Sequence, residues 1–457
     1  MPQSRRLHIQ VHAEGLAQSR PQPIWWVLGG GFAFLLLGVG WIYFLDDVEP
    51  PDPALYEIEF RQKTDGENPL GIFAIETATL RESMRDDWNK HYQEEDQLSA
   101  LSEHLEANRE LLARFWKVVN DAPRPLDYPS DIEDYRTGCT FALQDGAALA
   151  SRHIKFLTLK GRYDEALTEA LALAEFSSGL CAAEVTAVPW LVAVTAQFMG
   201  FNGIRKALKG ATLNEGDISN LLVRLRRVEV TAIDLSQTLR RSAFATSFWL
   251  RECKEKSRIG PGWMGEMNRL EMQIFKPNES AWEVLQLMLP VASALEGGWI
   301  SGWRASEELQ NKATAMGHPT SFWDQIRPNR SGRWFAANLQ AGDQHTVRKA
   351  LQSVAICRSL QLALALRAFD VKTGSLPESA QDLVPAYLPA VQVDPITGSP
   401  LKWNRQTGLI YSVGMNGVDD AGRFDLEQLK IGDKDWGILY PWWNKEEEKG
   451  DGGRLRR

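Results

Sequence analysis

Residues 141–176 read FALQDGAALASRHIKFLTLKGRYDEALTEALALAEF. Apolar residues return at three- and four-residue intervals on both sides of Gly161, the spacing that gathers them on one face of a helix. Two such runs joined by a glycine predict a helical hairpin packed in a bundle.

Working outward toward the N-terminus, Leu98, Leu101, Leu105, Leu112 and Trp116 form another stripe of an amphipathic helix, and Ala122 to Pro129 is a proline-rich break after it. The acid run Glu94-Glu95-Asp96 belongs to a solvated face. Gly161, Tyr163, Asp164, Glu165 and Ala166, followed by an apolar helix, resemble the second half of a tetratricopeptide repeat, in which glycine and alanine let paired helices approach closely. No clear repeat period surrounds them. The expectation is a hairpin bundle that is only weakly tetratricopeptide-like.

Further out, IWWVLGGGFAFLLLGVGWIYFL, Ile24–Leu45, carries no charge over a length that spans about 30 Å of hydrocarbon. It reads as a single transmembrane helix, with Trp25, Trp26, Trp41 and Tyr43 at its ends as interfacial aromatics and Gly29, Gly30 and Gly31 as a surface for close helix contact or self-association. The run is too long for a cleaved signal peptide and lacks a small-residue cleavage site after it. Arg5, Arg6 and Arg20 precede it against one acid, Glu14, while Asp46, Asp47, Glu49 and Asp52 follow. By the positive-inside rule residues 1–23 are a cytoplasmic tail, 24–45 the inner-membrane anchor, and everything from Asp46 onward is exported. Residues 46–68, acidic and carrying Pro50, Pro51 and Pro53, read as a stiff spacer lifting the body off the membrane. The partner here is the lipid bilayer. The net charge of −8 argues against nucleic acid.

The helical body is expected over 69–342, with helices near 185–209 ended by Gly210, at 217–229 capped by Asp217, at 231–256, and at Ala281 to Leu295. PNRSGRW places a loop between Arg327 and Gly342, followed by a last long helix from about His345 to Phe369. Tryptophan is unusually abundant, with 17 residues. Trp263, Trp282, Trp299, Trp303, Trp323, Trp334, Trp436, Trp442 and Trp443 are therefore expected to be mostly core anchors, because large aromatics remove the most area from water. Strand chemistry appears only after the last helix. Leu401 to Asn404 and Leu409 to Val413 are short runs joined by a glycine-containing turn, a β-hairpin. The fold class expected is mainly α, with a small β module in 343–430 and a Trp-containing charged tail over 431–457.

The block Ala363 to Asp420 resembles the C-terminal part of the major pseudopilin of type II secretion systems. The resemblance rests on Gly374 and Pro377 after a helix, Leu383-Val384, Asp394-Pro395 with Gly398 and Pro400, the hairpin, and the turn Tyr411-Ser412-Val413-Gly414. It covers about an eighth of the chain. The rest departs from that family: Leu36 stands where a pseudopilin has its glutamate, and some three hundred residues separate the anchor from the module. The resemblance therefore implies a shared folding unit and not a fibre subunit. The whole layout resembles a set of bacterial membrane-anchored proteins of uncharacterised activity. The resemblance also implies a structural calcium ion held by Asp419 and Asp420, with Asp425 and backbone oxygens near Leu409 and Val413 as helpers. The alternative for the same residues is a tight turn at Asn416-Gly417 with solvated aspartates.

No catalytic residues are assigned. His91, His104, His153, His318 and His345 show no metal spacing, and neither a GxSxG elbow nor a phosphate-binding glycine loop is present. Cys139, Cys181, Cys253 and Cys357 leave every complete disulfide pairing open in an exported protein, though Cys357 lies in an apolar helical run and reads as a small buried hydrophobe. The function expected is a non-enzymatic structural or protein-interaction role in the envelope, with an unidentified envelope protein or a second copy as partner. The alternatives are a membrane-tethered hydrolase of extracellular polymers using Glu307 or Glu308 near Trp299 to Trp303, and an accessory of a secretion apparatus.

Overall fold

The computed structural model describes residues 49–51, 73–74, 76–80, 97–121, 139–182, 186–255, 275–317, 329–423 and 435–442. The segment Ile24–Leu45 lies outside them, as do Asp425, Trp263, Trp323 and Trp443. The described chain is mainly helical, with one small antiparallel sheet. Its helices are α1 (Gln97–Ala107), α2 (Arg109–Asp121), α3 (Cys139–Leu159), α4 (Tyr163–Cys181), α5 (Ala187–Ala207), α6 (Glu215–Val228), α7 (Ala232–Glu255), α8 (Pro277–Glu296), α9 (Trp299–Gly317) and α10 (Arg330–Thr373). A 3-10 turn, Ala380–Leu383, leads to β1 (Lys402–Asn404), β2 (Leu409–Ser412) and β3 (Trp436–Leu439).

The hairpin expected from residues 141–176 is α3 and α4. Gly161 sits between them with φ +75°, a left-handed turn that costs a residue without Cβ nothing. Asp164 and Glu165 then open α4, where the helix dipole favours acids, and Asp164 also accepts the Thr212 amide at 3.1 Å. Helix α4 lies along α5 through a seam of small residues. A Cβ on Gly200 would meet the Ala170 carbonyl oxygen at 2.8 Å and the Ala174 nitrogen at 2.9 Å, so the two backbones are in contact. Helix α5 is long and apolar enough to cross a membrane by length and composition, yet 61% of that window is buried. Its apolarity is used in packing against α3, α4 and α10.

Several boundaries differ from the sequence expectation. The stripe from Leu98 to Trp116 is two helices, α1 and α2, meeting at a turn at Asn108. Asp217 is not the cap of α6: Asn214 is, accepting the Asp217 amide, while the Asp217 carboxylate returns a bond to the Asn214 amide. Helix α9, which has no counterpart in the sequence reading, buries Trp299 and Trp303.

The largest correction concerns residues 330–342, read as loop and found as the first turns of α10. The PNRSGRW motif has the look of a turn because Asn329 does adopt the left-handed conformation, φ 54°. The helix starts immediately after it. Asn329 is 1% exposed, accepts from the Lys276 amide at 3.2 Å and donates to Ser280 Oγ at 2.9 Å, which ties the start of α10 to the start of α8. Gly332 belongs to that junction, since a Cβ there would lie 1.9 Å from Ser280 Oγ. Helix α10 thus runs 44 residues, to Gly374, whose amide caps it by donating to Asp370 O at 2.7 Å. Between Ala350 and Ala368 it is mostly apolar and buried, with Arg358 and Arg367 alone part-exposed, the signature of a central helix. Helices α5, α6, α8 and α9 all pack on it, and so do β2 and β3.

The sheet has strand order β1-β2-β3, antiparallel throughout, with Trp403 opposite Ile410 and Ile410 opposite Ile438. The hairpin was expected. The third strand was not, because Trp436 to Leu439 fell in the segment taken as a charged tail; the module therefore extends past residue 430. Trp436 is 3% exposed, and Arg367 of α10 stacks on Trp442 just beyond β3, 5.5 Å from the ring centroid. Tryptophan as core anchor holds for Trp299, Trp303 and Trp436, but Trp334 is 41% exposed.

Candidate functional site

The distinctive chemistry lies where the helical body meets the sheet. Asp394 is 2% exposed, and its carboxylate accepts three hydrogen bonds: from the Ile396 amide at 2.8 Å, Ser412 Oγ at 3.0 Å and the Val413 amide at 3.0 Å. One side chain thereby joins the Asp-Pro loop to the end of β2. Around it the Asp394 amide donates to Ser399 O at 2.7 Å and the Leu401 amide to Gln392 O at 2.9 Å, so residues 392–401 close as a compact loop. The sequence reading quoted Asp394 only as part of a motif. Its role as a buried acceptor for Ser412 depends on the fold that brings the two together.

The loop after β2 uses its aspartates in the same way. Asp419 Oδ1 accepts from Tyr411 OH at 3.1 Å and from the Ala421 amide at 3.0 Å, and its other oxygen lies 3.6 Å from Lys402 Nζ. The Ala421 amide bond is the main reason the Asp419 carboxyl titrates below the usual range. Tyr411 is pushed the other way, to about 12, first by burial and then by its bond to Asp419. Asp420 Oδ2 accepts from Asn416 Nδ2 at 3.1 Å. Asp435, just before β3 and 1% exposed, accepts from the Gly422 amide at 2.7 Å and the Asp420 amide at 3.3 Å; burial raises its pKa. Sequence reasoning missed Asp435 because its partners lie across an intervening segment.

These contacts bear on calcium. Among the described residues no group of three acidic, histidine or cysteine side chains gathers around a common point. Asp419 accepts from Tyr411 and Ala421 and faces Lys402, Asp420 accepts from Asn416 through one oxygen, and Asp425 lies outside the described residues. A calcium ion takes roughly 6–8 oxygens at short range, more than Asp419 and Asp420 supply by themselves. Millimolar calcium is accordingly expected to move the melting temperature by less than about one degree, since a ligand raises stability only through binding to the folded state. A rise of several degrees that Asp420→Ala abolishes would overturn this.

Beside Asp394 runs a groove of about 430 Å³ between the body and the segment leading to the sheet. Trp299, Val230, Pro389, Val391 and Val393 give it apolar walls. Its floor is polar. Arg358 on α10 donates from Nε to Glu229 at 2.8 Å and from Nη1 to Val393 O at 2.9 Å, and Gln361 Nε2 donates to the second Glu229 oxygen at 3.0 Å. Gln392 Nε2 in turn donates to Gln361 Oε1 at 3.3 Å. The network holds these side chains in one arrangement, so the groove is preformed. Arg358 and Glu229 are paired with each other within it, and Arg226 donates to the Tyr387 carbonyl.

The other residues considered from sequence are placed elsewhere. Glu307 and Glu308 are exposed on α9 while Trp299 and Trp303 face the core, so no cleft brings these acids beneath those rings. His104 lies 2.6 Å from Arg152 and His153 lies 2.7 Å from Glu169, apart from one another's chemistry. His345 is exposed on α10, and His91 and His318 lie outside the described residues. Cys181 and Cys357 are free and buried, which rules out a complete pairing of the four cysteines in this structure. Cys357 is a small buried group as expected, its thiol pKa raised by burial.

Comparison with family models, with curated proteins and with solved structures gives no match to this chain.

Proposed function

We propose that the chain is a single-pass membrane protein of the bacterial envelope, anchored by Ile24–Leu45, whose exported body and C-terminal module serve a non-enzymatic structural or interaction role. The observation that carries this reading is the groove beside Asp394. It has the size of a ligand site, apolar walls, and polar groups fixed by their neighbours. Val393, 39% exposed at its rim, and the run of residues 389–393 along one wall suit an elongated segment of a partner protein. The likeness of Ala363 to Asp420 to a pseudopilin is best taken as a shared folding unit that builds one wall of this groove. In the same spirit the α3–α4 hairpin, weakly tetratricopeptide-like, is scaffold.

The test is site-specific photocrosslinking in cells with a benzophenone amino acid at Val393, compared with Leu159, which is exposed at the end of α3, a helix that does not line the groove. A partner captured from Val393 at least several-fold above Leu159, and lost when Gln392→Arg fills the groove, is the expected result. Equal capture from both positions would remove the groove from consideration. Resistance of the chain to carbonate extraction, with the body open to protease from outside, is expected for the anchor.

A further inference from the structure

The segment that forms one wall of the groove is strapped to the body by two arginines, and the two differ in charge balance. At its start Arg226 of α6 donates from Nη2 to the Tyr387 carbonyl; at its end Arg358 of α10 donates from Nη1 to the Val393 carbonyl at 2.9 Å. Arg358 is neutralised, because Glu229 Oε1 faces both its Nε, at 2.8 Å, and its Nη2, at 2.7 Å. Arg226 is not. Among the described residues it has no carboxylate partner, and its one backbone bond leaves most of the guanidinium fork open. Asp234, beside the lining residue Thr231, is already engaged in the cap of α7, where it accepts from the Thr231 amide at 3.0 Å and hydroxyl at 2.7 Å.

The open fork of Arg226 lines the groove together with the apolar walls of Val230, Trp299, Pro389, Val391 and Val393. A lone cation against apolar walls is complementary to a ligand that is itself apolar apart from one anionic group, since the walls exclude water and strengthen the ion pair. One guanidinium answers one carboxylate, fork to fork. A phosphate would bring a second charge that no other lining residue answers. Arg226 is exposed on the rim, so a chain can continue past it, whereas capture of a chain end takes a nest of backbone N–H groups. Toward the Val393 end the polar groups are bonded to one another, Gln392 to Gln361 at 3.3 Å and Arg358 to Glu229, and they select no charge.

From this arrangement we propose that the groove takes an elongated peptide segment in which one acidic side chain, flanked by aliphatic residues, pairs with Arg226. The acid lies at the Tyr387 end of the wall and the aliphatic residues lie along Pro389, Val391 and Val393. The proposal rests on the reading of the groove as the site for a partner segment, and adds the chemistry that segment carries.

The full chain in detergent micelles, with a benzophenone amino acid at Val393 or at Leu159, would be irradiated with an equimolar pool of short, C-terminally amidated, valine-rich peptides. These carry a central glutamate, glutamine or lysine, and the adducts are read by mass spectrometry. At Val393 the glutamate peptide is expected at least fivefold above the glutamine peptide, with the lysine peptide lowest, and the preference should shrink as salt is raised. Arg226→Gln, which keeps a donor for the Tyr387 carbonyl, is expected to bring the glutamate and glutamine adducts level; Arg226→Lys is expected to keep most of the preference. Level adducts in the parent chain, or a preference that survives Arg226→Gln, would overturn the pairing and leave the groove as a binding site. Adducts at Val393 no higher than at Leu159 for every peptide would overturn both readings. A glutamine peptide with a free C-terminus, captured in place of the amidated glutamate peptide, would overturn the placement of the acid within the segment.

Discussion

Asp394→Ala is expected to break the junction between the Asp-Pro loop and β2 and so to loosen the sheet. The substitution leaves the Ile396 and Val413 amides and Ser412 Oγ without their acceptor in a site that is 2% exposed, where the carboxylate now satisfies all three. A buried donor left unsatisfied costs about 1–3 kcal/mol, and relaxation of the loop recovers part of that, so a total near 4 kcal/mol is expected. Asp394→Asn retains one acceptor oxygen and should lose about half as much. Amide exchange reads the loss where it falls. Ile410, Tyr411 and Ile438 should exchange about a thousandfold faster, while amides of α4 and α5 remain protected. Unchanged protection in the sheet would mean that the strands hold to α10 without the Asp394 junction.

Gly200→Val should be the most damaging single change in the α4–α5 seam. The added side chain meets backbone, the Ala170 oxygen at 2.8 Å and the Ala174 nitrogen at 2.9 Å, and backbone cannot rotate away. Overpacking costs typically about 1–3 kcal/mol, and a rigid neighbour puts this case at the top of that range or above it. Gly203→Ala provides the contrast. Its new Cβ is smaller and meets Ile154 Cγ2, which can turn away, and Ala170 Cβ, which moves only with its backbone, both at 2.9 Å, so a loss of about 1–2 kcal/mol is expected. Denaturant midpoints of the two variants test the ranking; equal losses would show that the helices separate freely along the seam.

Much of the helical body was legible because its elements are long and their period is regular. The 141–176 hairpin, α5, α7 and the β1–β2 hairpin follow from apolar spacing and glycine placement alone. The misreadings share a physical cause. Asn329 and Gly332 look like loop residues, and locally they are unusual, but tertiary contact with Ser280 overrides that preference and the helix begins there. Strand β3 is four residues and gains its stability from pairing with β2, a partner that no local window includes. Asp435 was missed for the same reason. The groove required four separate stretches, at 226–232, 299, 358–361 and 389–393, to be brought together, and no spacing rule connects them.

The enclosed thiol of Cys357 gives the molecule a built-in clock. It sits fully buried at the middle of α10, donates to the Leu225 carbonyl 3.4 Å away, and burial keeps it in the unreactive protonated form. A thiol reagent can reach it only when the central helix parts from its neighbours. Its labelling rate, read on the peptide that carries Cys357 and compared with that of the unfolded chain, therefore reports how often the central helix opens, without altering the sequence.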